Sequence, residues 1–261
     1  MTADKTTNTK QILARESDGA TIAYHKTEGK TPGVVFCTGF MSDMEGGKAL
    51  ALETYCRERG QSFLRFDYTG HGESSGDFEY GTIGQWAEDA VYALDRLTDG
   101  PQVVVGSSMG GWIMMLMALA RPDRVAGLVG IAPAPDFTVG FYESEISEAQ
   151  RKELNDKGVL YIESEYGPDP TPFTLKLIED GKNRLVLDSP PVQINCPVRL
   201  LHGMGDPDVP WRLSLEIAEK LAAEDVVTTL IKDGDHRLSR DQDIDRLLKT
   251  VGGLLDQLEG A

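Results

Sequence analysis

A serine hydroxyl is a poor nucleophile at neutral pH, so a chain that uses one must lift it clear of the backbone and set a base beside it. Residues Gly106-Ser107-Ser108-Met109-Gly110 meet the first condition. They spell G-x-S-x-G between the apolar run Val103-Val104-Val105 and the helix-forming stretch Gly111–Ala120. A strand that turns into a helix within a few residues has room for backbone alone, so glycines two places before and two places after the central residue let the chain pass. Ser108 is left at the tip, with the first turn of a helix behind it to favour developing negative charge. Its neighbour Ser107 lacks the glycine two places before it, and Ser108 is therefore the expected nucleophile.

The base has to come from one of four histidines. His236 follows the last strand-like run, in Lys232-Asp233-Gly234-Asp235-His236, at the carboxyl edge where Ser108 also stands, and it is the expected base. His71 is the rival, in the glycine-rich loop Tyr68-Thr69-Gly70-His71-Gly72-Glu73-Ser74. His202 reads as a structural strand-end residue and His25 as part of an N-terminal hairpin. The acid that orients the base should lie between serine and histidine in chain order. Asp206 and Asp208 both qualify. Asp206 follows directly on the Leu200–Gly203 strand end and is favoured, whereas Asp208, just before Val209-Pro210-Trp211, is placed to cap the next helix. Asp67 reads as a brace for the Gly70-His71-Gly72 loop.

Attack on a carbonyl generates an oxyanion, and backbone amides have to meet it. One is the amide of Met109, immediately after the nucleophile. The other is expected from Thr38-Gly39-Phe40-Met41-Ser42, with Phe40 the first choice and Met41 the second.

These residues need a scaffold that brings several strand ends to one edge. Gln11–Glu16 and Thr21–Lys26 read as an antiparallel hairpin. Strand-like runs Gly33–Cys37, Ser62–Phe66, Gln102–Val105, Val125–Ile131, Val198–Leu201 and Val226–Ile231 then alternate with helical candidates near Lys48–Arg59, Gly84–Leu97, Met109–Ala120, Trp211–Ala223 and Asp243–Leu258. That alternation predicts an α/β fold with a mostly parallel sheet, helices on both faces and ligands at the carboxyl ends of the strands. The pattern breaks once, across about 136–191, where acidic and proline-containing sequence carries Phe137, Phe141, Tyr142, Tyr161, Tyr166 and Phe173. This segment is expected to be a lid on a single domain spanning 1–261. It holds one helix, Glu145–Lys157, and too little regular pattern for a core of its own. Met41, Phe137, Phe141 and Tyr142 are the candidate walls of an apolar pocket over Ser108.

Acidic residues outnumber basic ones 42 to 26, for a formal net charge of -16. Such a surface repels phosphate backbones and anionic lipid, which excludes nucleic acid as an expected partner. Cys37, Cys56 and Cys196 lack metal-ligand spacing and leave an odd one over, so a reducing compartment and no metal or cofactor are expected. Met1 to Lys10 is polar and has neither a secretory signal's basic-then-apolar order nor a transit peptide's arginines. Pro101–Ala120 carries no charge, but its glycines and paired serines divide it into strand, turn and buried helix, so no membrane insertion is expected.

With these residues placed, the chain resembles the α/β-hydrolase superfamily. The segments Phe40-Met41-Ser42-Asp43-Met44, Arg65-Phe66-Asp67-Tyr68-Thr69-Gly70, Gly106–Trp112, Ala120-Arg121-Pro122, Asn195–Met204 and Asp235-His236-Arg237 resemble more closely its mitochondrial palmitoyl-protein thioesterase and mycophenolic acid acyl-glucuronide esterase branch. The resemblance implies Ser108 as nucleophile, Asp206 as acid and His236 as base. It also implies a serine hydrolase acting on acyl esters and thioesters, and the leading expectation is a cofactor-free esterase or thioesterase of a small-molecule or acylated-thiol substrate, with a protein substrate admissible. Two departures stand out. The branch's transit peptide is not seen, from which a cytoplasmic protein is expected, and the 136–191 segment follows the branch pattern poorly. Alternatives are a carbon–carbon bond hydrolase or perhydrolase using the same three residues, or a binding protein of hydrolase shape.

Overall fold

Side chains of the central strands point alternately into two apolar layers, which is why runs such as Val103-Val104-Val105 carry no polar residue. Val34, Phe36, Val103, Val105, Val129 and Ile131 enter one layer; Val35, Cys37, Val104, Leu128 and Leu200 enter the other. The computed structural model describes residues 10–164 and 169–260. The polar start before Lys10 and Tyr166 of the 136–191 segment lie outside the described residues.

The body comprises β1 (Gln11–Ala14), β2 (Thr21–Thr27), β3 (Lys30–Cys37), α1 (Gly47–Arg59), β4 (Gln61–Phe66), α2 (Ile83–Leu97), β5 (Gln102–Ser107), α3 (Met109–Ala120) and β6 (Val125–Ile131). An insertion follows with α4 (Phe137–Gly140), a π-helical turn (Phe141–Glu145), α5 (Glu148–Lys157), β7 (Val159–Ile162), β8 (Thr171–Thr174) and α6 (Leu175–Lys182). The body resumes with β9 (Val198–Gly203), α7 (Arg212–Lys220), β10 (Val226–Ile231) and α8 (Asp241–Glu259). Eight strands form one sheet in the order β1-β2-β4-β3-β5-β6-β9-β10. Its antiparallel pairs are β1–β2 and β2–β4, and the remaining pairs are parallel. Leu52 and Cys56 of α1 and Leu247, Val251 and Leu255 of α8 close the first layer. Trp86 and Leu94 of α2, Trp112 and Met115 of α3 and Ile217 of α7 close the second. The expected architecture is thus the one adopted.

α3 is apolar around nearly its whole circumference and buried between the sheet and α2. A helix of that kind needs an apolar environment on all sides, and here the protein supplies it. Among the described residues no helix is long and apolar enough to cross a membrane.

The insertion differs from its sequence reading in its starting point and in its content. α5 begins after Ser147, whose hydroxyl accepts the Gln150 amide at 3.3 Å while the Gln150 side chain accepts the Ser147 amide at 3.0 Å. That reciprocal cap starts the helix three residues later than expected, at Glu148. β7 and β8 pair antiparallel into a separate two-stranded sheet. Leu160 of β7 is buried with Phe141, Ile146, Leu154 and Ile178 in a small apolar cluster, which the sequence pattern did not show. Strands of four residues carry too little alternation to be recognised.

Candidate active site

The turn between β5 and α3 is built by close backbone contacts. A methyl at Gly106 would collide with the Gly110 carbonyl, and one at Gly110 would collide with the Cys37 and Thr38 carbonyls. Both glycines are therefore required by approach of main chain to main chain. Ser108 sits at φ 54° and ψ -119°, backbone that a side chain adopts at a cost of about 1–3 kcal/mol. Three bonds hold it there. Its amide donates to the Ile131 carbonyl at 2.9 Å, and its carbonyl accepts Gly111 N–H at 2.8 Å and Ala134 N–H at 3.0 Å. Ser107 ends β5 and is buried.

His236, from the loop between β10 and α8, places Nε2 at 3.1 Å from Ser108 Oγ and Nδ1 at 2.8 Å from Asp206 Oδ2. With the proton on Nδ1 donated to the carboxylate, Nε2 presents a lone pair to the serine hydroxyl. Asp206 is held in turn. Its Oδ1 accepts the amides of Asp208 and Val209, each at 2.8 Å, and Oδ2 also faces His202 Nε2 at 3.2 Å. Burial raises the carboxyl's pKa, but bonds from His202, His236 and the Val209 amide outweigh it and hold the group well below the usual carboxylate range. Asp206 is thus held as an anion at neutral pH. His202, fully buried, also contacts Ser214 Oγ at 2.7 Å and the Val209 carbonyl at 3.0 Å. Its part in seating Asp206, four residues on, was not read from the sequence, although the i, i+4 spacing across a strand end was visible.

The rivals stand elsewhere. His71 is buried against the rings of Tyr68, Phe78 and Trp86, and burial pushes it down to about 4. Its Nδ1 lies 3.4 Å from the Thr69 carbonyl, and its Nε2 has no hydrogen-bond partner among the described residues. Asp208 contributes its amide to Asp206 and exposes its carboxylate. Asp67 accepts the amides of Met44 at 2.7 Å and Glu73 at 2.9 Å, and burial raises it to about 6. A side chain at Gly72 would collide with that carboxylate, so the acid and the glycine together shape the loop. Asp206, Asp208 and His236 each have one ligand-capable atom within 4.8 Å of the others'. Both oxygens of Asp206 are already taken by hydrogen bonds there.

The loop after β3 comes back to the serine. A methyl at Gly39 would lie 3.5 Å from Ser108 Cβ, so this backbone passes directly beside the elbow. Met41 has φ 53° and is 45% exposed, and Ser42 N–H closes the turn on the Gly39 carbonyl at 3.2 Å. Among the described residues, neither the Phe40 amide nor the Met109 amide donates to another group. The Phe40 ring meets Phe78 at 4.8 Å, Phe173 at 5.3 Å, Phe137 at 5.6 Å and Trp86 at 5.9 Å. Phe137 also meets Trp112 at 5.8 Å, and Phe141 stacks on Phe173 at 3.7 Å. Of the four pocket candidates, Phe137 and Phe141 join this aromatic assembly through the insertion. Tyr142 does not. Its ring lies under Lys182 and Arg151, and its hydroxyl bonds Asn155 at 3.2 Å. Phe78 and Trp86 belong to the assembly and were not expected there, because they come from a 3-10 turn and a helix remote in sequence from the loop they meet.

A family model described as the alpha/beta hydrolase fold matches residues 32–159. The mitochondrial palmitoyl-protein thioesterase ABHD10 of Mus musculus is 42% identical over 240 residues, covering 91% of this chain and 80% of that relative. Its Homo sapiens counterpart is 41% identical over 238 residues, covering 91% and 77%. Among solved structures, alpha/beta hydrolase domain-containing protein 10 from mouse is similar at a TM-score of 0.89 and 40% identity, covering 96% of this chain and 99% of that one. A putative hydrolase from Agrobacterium vitis gives 0.89 at 40% identity, covering 95% and 98%. The expectation of a cytoplasmic protein is corrected by these matches, since the Mus musculus and Homo sapiens thioesterases, each covering 91% of the chain, are mitochondrial.

Proposed function

The chain belongs to the alpha/beta hydrolase family and is a hydrolase of ester or thioester bonds, and from that premise we propose that it works through Ser108, His236 and Asp206 by way of an acyl-enzyme. The observation that carries this reading is the continuous run of contacts from Asp206 Oδ2 through both nitrogens of His236 to Ser108 Oγ. Ser108 Oγ attacks the acyl carbonyl while its proton passes to His236 Nε2, and the imidazolium is steadied by the Asp206 carboxylate. The carbonyl oxygen becomes an oxyanion, met by the Met109 and Phe40 amides, each worth about 3 kcal/mol of barrier. Collapse expels the alcohol or thiol, which leaves with the proton from Nε2. Water then gives a proton to the same nitrogen and attacks the acyl-serine, and as the acid is released Ser108 Oγ takes that proton back from Nε2.

Within one hydrolase domain, the 136–191 segment serves as a lid whose Phe137, Phe141 and Phe173 line the acyl side of the site with Phe40. Likeness to palmitoyl-protein thioesterases supports an acyl thioester as substrate, small or protein-borne. Ser108→Ala is the direct test. Hydrolysis of p-nitrophenyl acetate should fall by several orders of magnitude with the melting temperature unchanged. Wild-type turnover by a folded variant would remove the serine from the chemistry.

A further inference from the structure

His236 can take a proton from Ser108 only while its loop holds the ring in line, and that loop is tied on two sides. Before the histidine, Gly205 N–H donates to the Gly234 carbonyl at 2.9 Å and Met204 N–H to the Ile231 carbonyl at 2.8 Å, fixing the loop to the end of β9. After it, Leu238 is buried with φ 44°, a backbone conformation that leucine holds only when its surroundings impose it. At this second point Lys48 reaches in from α1, and its Nζ donates to the Arg237 carbonyl at 2.6 Å.

Lys48 stands in the first turn of α1. The chain before that helix runs back through Met44 to Phe40, and Met44 is clamped by Asp67 Oδ1 at its amide, 2.7 Å, and by Arg65 Nη1 at its carbonyl, 3.2 Å. The Lys48–Arg237 bond therefore joins the segment that offers the oxyanion amide to the loop that carries the base. We propose that Lys48 is a positioning residue for the reaction: its ammonium locks the His236 loop to the Phe40 segment, so that the imidazole and the oxyanion donor move as one frame. This rests on the roles of Ser108 and His236 given above.

An ammonium is suited to the task because a charge-assisted bond is about twice as strong as a neutral one. The charged groups facing it are Arg237 and Asp235. Burial first, and Arg237 second, push Lys48 down to about 8 against the opposing pull of Asp235. As pH rises through about 8, the ammonium becomes an amine and the lock weakens. A guanidinium at the same place would stay charged.

The test compares wild type, Lys48→Met and Lys48→Arg by p-nitrophenyl acetate turnover and by labelling with a fluorophosphonate, which requires an activated serine but no acyl substrate. Lys48→Met keeps the stem and loses the donor. Its kcat and labelling rate should fall about 10- to 100-fold, with KM within about twofold and the melting temperature little changed. Lys48→Arg should recover most of the rate and hold it level as pH is raised through about 8, where the wild type declines. Labelling of Lys48→Met at the wild-type rate would overturn the proposal, as would coincident pH profiles for wild type and Lys48→Arg. An error in the Ser108 assignment is distinguishable, because the wild type itself would then escape labelling at that serine.

Discussion

Replacing Asp206 with asparagine changes one atom and should disable the base through its tautomer. The carboxylate now accepts the Asp208 and Val209 amides through Oδ1, each at 2.8 Å, and His236 Nδ1–H through Oδ2, also at 2.8 Å. An asparagine has one carbonyl for these two duties. Turning it to His236 sets the NH2 against two backbone donors, forfeits two bonds and costs about 2–6 kcal/mol. Turning the NH2 to His236 forfeits the bonds from His236 Nδ1–H and His202 Nε2–H, but His202 keeps the Val209 carbonyl at 3.0 Å and His236 regains a bond by accepting at Nδ1, so that orientation wins. The imidazole must then accept at Nδ1, carry its proton on Nε2 and face the Ser108 hydroxyl as a donor. Expected is a drop in kcat of about 10,000-fold, equivalent to about 5 kcal/mol of barrier, with KM within about threefold. Stopped-flow acylation with p-nitrophenyl acetate measures it, and a melting curve shows that the variant remains folded. A folded Asp206→Asn enzyme whose kcat falls less than about tenfold would refute the argument that this carboxylate selects the tautomer.

His71 supplies a stability test with a definite sign. Its folded-state pKa is depressed from 6.5 to about 4, so the unfolded chain binds the extra proton first and stability is lost as pH falls from about 6.5 to about 4. His71→Phe, which keeps an aromatic ring among Tyr68, Phe78 and Trp86, should remove about 3 kcal/mol of that acid sensitivity. Urea midpoints at both ends of the window report it, and parallel pH profiles for the two proteins would count against a neutral buried histidine. Gly110→Ala should cost more than about 3 kcal/mol and abolish labelling of Ser108, because the new methyl meets backbone carbonyls that no rotamer change can move. A stable, fully reactive alanine variant would show that the elbow has room it is not expected to have.

Strand and helix positions in the body were largely legible, because two-sided burial of parallel strands leaves unbroken apolar runs such as Val125–Ile131 and paired helices leave amphipathic ones such as Asp241–Glu259. The insertion was less so. Its short strands pair with each other through one register, and Ser147 stops α5 from extending back to Glu145, which instead ends a π-helical turn. Its place over the body depends on rings that meet only after folding. Phe173 touches Phe40, and Tyr161 bonds Glu79 at 2.6 Å. Nothing in the local pattern of either partner announces the other.

Sequence alone marked the elbow, since its glycines stand at a fixed spacing about Ser108: Gly106 has no room beside the Gly110 carbonyl four residues on, although the space at Gly110 is taken by the Cys37 and Thr38 carbonyls, which arrive only with the fold. It also narrowed the base and acid to short candidate sets by their positions after strands. Tertiary structure decided which histidine stands at Ser108, 128 residues away, which aspartate meets that histidine, 30 residues away, and that Lys48 reaches Arg237. The reason is that the glycine-serine-glycine spacing is written within five consecutive residues, whereas a hydrogen bond between distant segments needs placement to a few tenths of an ångström, which only the packed sheet and its two layers can supply.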